Sequence, residues 1–143
     1  MEIIIDTREQ LSYISFFQKL RIKHELKGLK VGDYSILGYE EEFALERKTL
    51  NDFINCITFD RERFSKELEK ARKLKYFAII IETSYYDIKN HNYRSKTNPK
   101  SVLNTIFAWS VKYNYPIFFV ESREGGALAV IKLSEFYYKN VKQ

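Results

Sequence analysis

"GDYSILGYEEEFALERK", residues 32 to 48, is the stretch from which the fold is read. It forms two β-strands joined by a short loop. With "GYEE" at 38 to 41 as a four-residue loop, Leu37 pairs with Glu42, Ile36 with Phe43, and Asp33 stands opposite Glu46. The two carboxylates are then cross-strand neighbours, with β-carbons ~5 Å apart, where like charges destabilise. On the second strand a period of two puts Ala44, Glu46 and Lys48 on one face and Phe43, Leu45 and Arg47 on the other. Two arrangements relieve the repulsion. A hard divalent cation that takes oxygen ligands can sit between Asp33 and Glu46, with the Lys48 ammonium free for a bound water or phosphate. Alternatively, a one-residue register slip separates the acids, and Glu46 pairs with Lys48 or with solvent.

Outward from the hairpin, three segments read as buried strands by their β-branched and aromatic runs: "EIII" at 2 to 5, "YFAIIIE" at 76 to 82 and "YPIFFVE" at 115 to 121. Their two-faced apolarity places them in the middle of a sheet. Helical patterns lie near 11 to 21, 50 to 57, 61 to 74, 100 to 113 and 126 to 140. Strands separated by helices imply parallel crossovers, whereas the hairpin is antiparallel, so the expectation is an α/β fold: a mixed central sheet flanked by helices. At 143 residues the chain makes one domain.

Composition narrows the function only slightly. An apolar fraction of 45% with 30% charge is that of a soluble protein, and the aromatics are spread along apolar segments, which assigns most of them to the core. The net charge of +5 permits a polyanionic partner. One cysteine, Cys56, excludes an internal disulfide and a Cys-based zinc site, and His24 and His91 are too few and too isolated for a histidine metal site. No apolar run is long enough to span a bilayer. Met1 runs directly into "EIIID" without a signal-like region, from which an intracellular, reducing location is expected rather than secretion.

"IIDTREQ" at 4 to 10, "LKVGDYSI" at 29 to 36 and "LERKTLNDF" at 45 to 53 together resemble the XPF-type endonuclease domain, also found in archaeal Hef. The signature of that family is GD, a variable gap, ERK, three residues and D. Here it is filled by Gly32, Asp33, Glu46, Arg47, Lys48 and Asp52, in order and without substitution. "DRERFSKELEKARKL" at 60 to 74 resembles the family's next helix more weakly, and the likeness extends over nearly all of residues 1 to 140. It implies the restriction-endonuclease-like PD-(D/E)xK fold and metal-dependent hydrolysis of DNA phosphodiesters. It also implies that Asp33 and Glu46 ligate Mg²⁺ or Mn²⁺ with a backbone carbonyl near Arg47, and that Lys48 sits at the attacking water. Asp52 caps a helix as part of "TLND" and orients the site, or touches metal. By the same resemblance Asp6 is an outer acid near the metal, Arg8 engages a phosphate or holds an acid, and Glu9 is a support.

For the remaining basic residues, Arg47 is assigned to structural pairing or the DNA backbone, and Arg63 to phosphate or a solvated helix face. The segment 85 to 100 carries Arg94, Lys96 and Lys100 among Tyr85, Tyr86 and Tyr93, a pattern for DNA-backbone contact or for a solvated loop. "EGG" at 124 to 126 reads as a flexible entry to the last helix. That helix and the one near 102 to 111 are apolar over more than one stripe, so a homodimer or a partner chain is expected. The family commonly appends a tandem helix-hairpin-helix module, and none is read in this sequence. The rival function is a catalytically silent DNA-binding or scaffolding partner, and the preferred DNA structure is left open.

Overall fold

The computed structural model describes residues 1–143. Its centre is a six-stranded mixed sheet in the order β2-β1-β3-β4-β5-β6. The strands are β1 (Ile3–Ile5), β2 (His24–Leu26), β3 (Tyr34–Ile36), β4 (Phe43–Thr49), β5 (Tyr76–Glu82) and β6 (Ile117–Phe119). β1 pairs antiparallel with β3, and β3 with β4, while β1–β2, β4–β5 and β5–β6 are parallel. The hairpin has the expected register, with Tyr34 opposite Leu45. Its connection is longer than the expected four residues, because a turn closes early from Tyr39 N–H to the Ile36 carbonyl, with Gly38 at φ +90°.

Six helices cover the two faces: α1 (Ile14–Lys19), α2 (Leu50–Ile57), α3 (Arg61–Lys70), α4 (Tyr85–Lys89), α5 (Pro99–Tyr113) and α6 (Arg123–Lys142). Alternation along the central strands sorts the core into two layers. Ala44, Ile79 and Ile81 meet α2, α3 and α5 through Phe53, Phe64 and Trp109. Phe43, Leu45, Ala78 and Ile80 meet α1 and α6 through Phe17, Val130 and Ile131.

Three expectations are corrected. β6 is an edge strand, not a central one, and Phe118 is 37% exposed, because nothing pairs beyond it. α6 begins at Arg123, capped by Ser122 Oγ on the Gly125 amide, so Gly125 and Gly126 lie inside its first turn. They serve close approach rather than flexibility: a β-carbon on Gly125 would collide with the Val120 carbonyl, and one on Gly126 with the Tyr13 hydroxyl. β2 and α4 are short elements that the apolar patterning does not announce.

Candidate functional site

The C-terminal ends of β1, β4 and β5 and the start of β3 meet at one end of the sheet, and the side chains there form a polar cleft of about 510 Å³. Asp33 reaches it because Gly32 lies flat against β4. A β-carbon on Gly32 would stand 2.9 Å from Ala44 Cβ, and its φ of +79° is open chiefly to glycine. The Asp33 amide donates to the Leu45 carbonyl, and its carboxylate accepts from the Arg47 amide at 2.8 Å. The N–H and C=O of a strand residue point to the same edge, so the Arg47 carbonyl also faces the side of β4 where Asp33 stands.

Glu46 lies behind Asp33 with its side chain 13% exposed, and the Lys48 ammonium is 3.4 Å from it. The two carboxyl groups stand at cross-strand positions of the hairpin, whose register sets Tyr34 opposite Leu45. Burial raises the Glu46 carboxyl well above the usual range, the Asp33 charge raises it further, and Lys48 opposes both. Asp33 is likewise raised by burial against the pull of the Arg47 amide. Burial would lower the Lys48 ammonium, but the negative neighbours, Glu46 first and then Cys56 and Asp33, together outweigh it and raise the group. No group of three His, Cys, Asp or Glu side chains converges anywhere to hold a metal. What the site offers is two adjoining carboxylates and a carbonyl edge.

Arg47 turns to the opposite face, as the strand period requires. Its guanidinium forms a fork with Glu82, Nε to Oε2 at 2.9 Å and Nη2 to Oε1 at 3.2 Å, and donates to the Gln10 carbonyl at 3.1 Å. Glu82 also accepts from the Tyr13 hydroxyl. Three of its donors are engaged and its side chain is 8% exposed at the cleft wall, so of its two expected roles the structure displays the structural pairing. Glu9 lies beside it, 3.7 Å from Nη1, buried, with Oε2 lacking any hydrogen-bond partner. Burial, then Asp33, pushes the Glu9 carboxyl up to about 7.

Asp6 is buried and saturated: it accepts from the Leu29 amide at 2.8 Å and from Arg8 Nε at 3.0 Å, and it does not line the cleft. As an outer acid it stands next to Asp33, its amide donating to the Asp33 carbonyl, while its carboxylate fastens the β1 exit to residue 29. Arg8 holds Asp6 and the Leu29 carbonyl while its side chain, 73% exposed, borders the cleft. Thr49 Oγ1 caps the Asp52 amide at 3.2 Å, leaving the Asp52 carboxylate exposed on the cleft wall. Arg63 lies on the same wall, paired with Asp60 at 3.0 Å. Arg94, Lys96 and Lys100 are exposed and free of ion pairs; their segment does not line the cleft but touches the start of α2 through the Arg94 amide and Asn51. Tyr13 and Glu82 were not anticipated. The available signal was an acid ending a buried strand, since parallel pairing sets Glu82 against Thr49 at the site end of β4.

Residues 5–129 match the model of the ERCC4 domain. Two solved structures of XPF from Aeropyrum pernix, one described as a complex with DNA, are similar to this chain at 23% identity, with TM-scores of 0.78 and 0.77. The matches cover 96% and 97% of this chain, and 61% and 66% of those chains. The chain thus spans less than two thirds of the length of either structure. Among curated proteins none matches the sequence significantly. The mixed sheet with helices on both faces is the fold of the XPF nuclease.

Proposed function

This chain belongs to the ERCC4 domain family, and on that premise we propose that it is a metal-dependent DNA endonuclease acting on branched or otherwise structured DNA. The observation that carries the reading is the half-buried Asp33–Glu46 carboxylate pair, with Asp33 and Lys48 on the cleft wall and Glu46 behind them. Two acids crowded out of water, both raised, are what a cation of high charge density relieves. Mg²⁺ and Mn²⁺ fit this donor set: they accept one or two carboxylates and retain water, whereas a structural zinc site needs a fuller shell of side chains. Asp33 and Glu46 would hold the ion, with the Arg47 carbonyl on the same edge. Bound there, the ion supplies Lewis acidity and a nucleophile at neutral pH.

The chain's own residues supply the rest. The Lys48 ammonium, fixed by Glu46 and lying 5.2 Å over the Phe64 ring, opposes negative charge growing on the phosphate oxygens. Arg8 and Arg63 border the cleft as cations for the flanking phosphates. Asp6 positions the loop that carries Arg8, and Asp52 stands on the cleft wall as an outer acid. The exposed Arg94, Lys96 and Lys100 extend the phosphate-binding surface past α2.

The experiment is cleavage of an end-labelled panel of single-stranded, duplex, flap, fork and junction DNA, with and without Mg²⁺ or Mn²⁺. Cutting that requires metal and disappears in Asp33→Asn is the expected result. Salt-dependent binding of the panel with no cutting under any condition would instead establish a silent DNA-binding module.

A further inference from the structure

The end of the sheet opposite the cleft carries a second basic surface. Ile3 N–H bonds the Lys23 carbonyl and Leu37 N–H bonds the Glu2 carbonyl, so residues 1, 23 and 37 lie at the start of β1, whereas Asp6 and Asp33 lie at its other end. There, between the α1–β2 connection and the last turns of α6, is a groove of about 580 Å³ lined by Arg21, Lys23, Lys132, Lys139, Phe136 and Tyr138. The one acid in its wall, Glu135, is 3.3 Å from Lys132, and Arg21, Lys23 and Lys139 have no ion-pair partner. Arg21 is held at φ +55°, which places a non-glycine residue in the left-handed region at the groove wall. Phe136 is 62% exposed, with the Lys139 ammonium 6.0 Å from its ring. A second hollow adjoins, sharing Lys23 and Tyr138 and adding Lys142.

We propose that this groove is a second binding surface for a nucleic-acid strand, one that holds a single-stranded segment of the substrate away from the scissile bond. Unpaired cations around an exposed aromatic ring match the two demands of single-strand binding, charge along the backbone and a face for a base to stack on. A duplex offers no free base to Phe136, so the groove favours single strands. From Phe43 to Thr49 β4 rises roughly 20 Å, and α6 is about 30 Å long, so the groove and the cleft contact separate parts of a substrate. The inference rests on the endonuclease reading and deepens it, because a branched substrate has a second arm to hold.

The test measures binding of a single-stranded oligonucleotide of about 15 nucleotides without metal, across a salt series, to the wild type, to Arg21→Ala/Lys23→Ala/Lys139→Ala and to Phe136→Ala. If all three cations neutralise phosphates, the triple variant flattens the slope of log K against log salt by about 2. Phe136→Ala lowers single-strand affinity about tenfold and leaves the slope unchanged. Both variants should cut a short blunt duplex at the wild-type rate. All four side chains are exposed, and matching melting curves will verify folding. An unchanged affinity and slope in a wild type that still cuts DNA overturns the groove alone. A wild type that neither binds nor cuts any nucleic acid overturns the endonuclease reading with it. Binding of phosphatidylserine vesicles, lost in the triple variant while oligonucleotide binding persists, would reassign the groove to a lipid surface.

Discussion

Lys48 is held by two contacts that favour its charge, the Glu46 carboxylate at 3.4 Å and the Phe64 ring beneath its ammonium. Both keep it charged and aimed at the cleft rather than bound to it. Lys48→Ala should therefore leave metal binding and DNA affinity within about twofold while reducing kcat by roughly 10²–10³, the scale for removing one electrostatic contact made in the transition state. Single-turnover kinetics separate the two; a large rise in KM with unchanged kcat would make Lys48 a phosphate-binding residue. The acids behave differently. The carboxyls of Asp33, Glu46 and Glu9 are all raised by burial, so the metal-free fold binds more protons than the unfolded chain. Its stability must then fall as pH rises from the ordinary carboxylate range toward the folded values, which for Glu9 is a window up to about 7. Thermal melts in chelator should show that loss, roughly 1–3 kcal/mol. Glu46→Gln should flatten it, and added Mn²⁺ should restore stability at neutral pH.

At the scale of the element, the site depends on how β4 and β5 end. The Arg47–Glu82 fork joins the two strands, Tyr13 adds a third contact to Glu82, and Gly126 lets α6 come close enough for the Tyr13 hydroxyl to fit. The same residue, Arg47, presents its amide to Asp33. Arg47→Ala should destabilise the fold by about 3–5 kcal/mol, since the Glu82 carboxylate keeps the Tyr13 hydroxyl but loses its only counter-charge. Gly126→Ala should cost about 1–3 kcal/mol through overpacking. Chemical denaturation measures both, and equal stability in either variant would contradict the clamp. The 85–100 segment is a different kind of element: α4 caps itself through Ser84 and leaves Arg94, Lys96 and Lys100 without acidic partners. Neutralising all three should weaken binding of every duplex alike and flatten the salt slope by up to about 3. An unchanged slope returns the loop to solvent.

At the scale of the molecule, the broad apolarity of the last two long helices is largely absorbed by the domain itself. Val102, Ile106 and Trp109 of α5 and Ala127, Val130 and Ile131 of α6 are buried on opposite faces of the sheet. Phe107, Val111 and Leu128 are left outward, exposed by 56%, 85% and 54%. We propose that a second copy seats on the exposed Phe107 and Val111 of α5. Light scattering at micromolar concentration should find twice the 17.1 kDa of one chain, and Val111→Lys should return it to the single-chain mass. A 17.1 kDa species for the wild type, unchanged on dilution and on adding DNA, would remove the dimer.

The sequence by itself determined the hairpin register, the alternation that separates Glu46 and Lys48 from Arg47, and the family signature, because strand periodicity and signature spacing are local properties of the chain. α2 was legible to the residue for the same reason, with Thr49 as its cap. Only the tertiary structure decided that Asp6 is saturated by Arg8 and Leu29, that Arg47 is spent on Glu82, and that Glu9 is buried with an unpartnered oxygen. Apart from the local Asp6–Arg8 pair, those outcomes depend on distant residues meeting, Asp6 with Leu29 at 23 positions and Arg47 with Glu82 at 35, and the sheet order that brings them together is set by packing on both faces. The edge position of β6 and the embedded Gly125–Gly126 pair follow from the same cause. Burial and pairing belong to the neighbours a residue meets, and no window of sequence contains them.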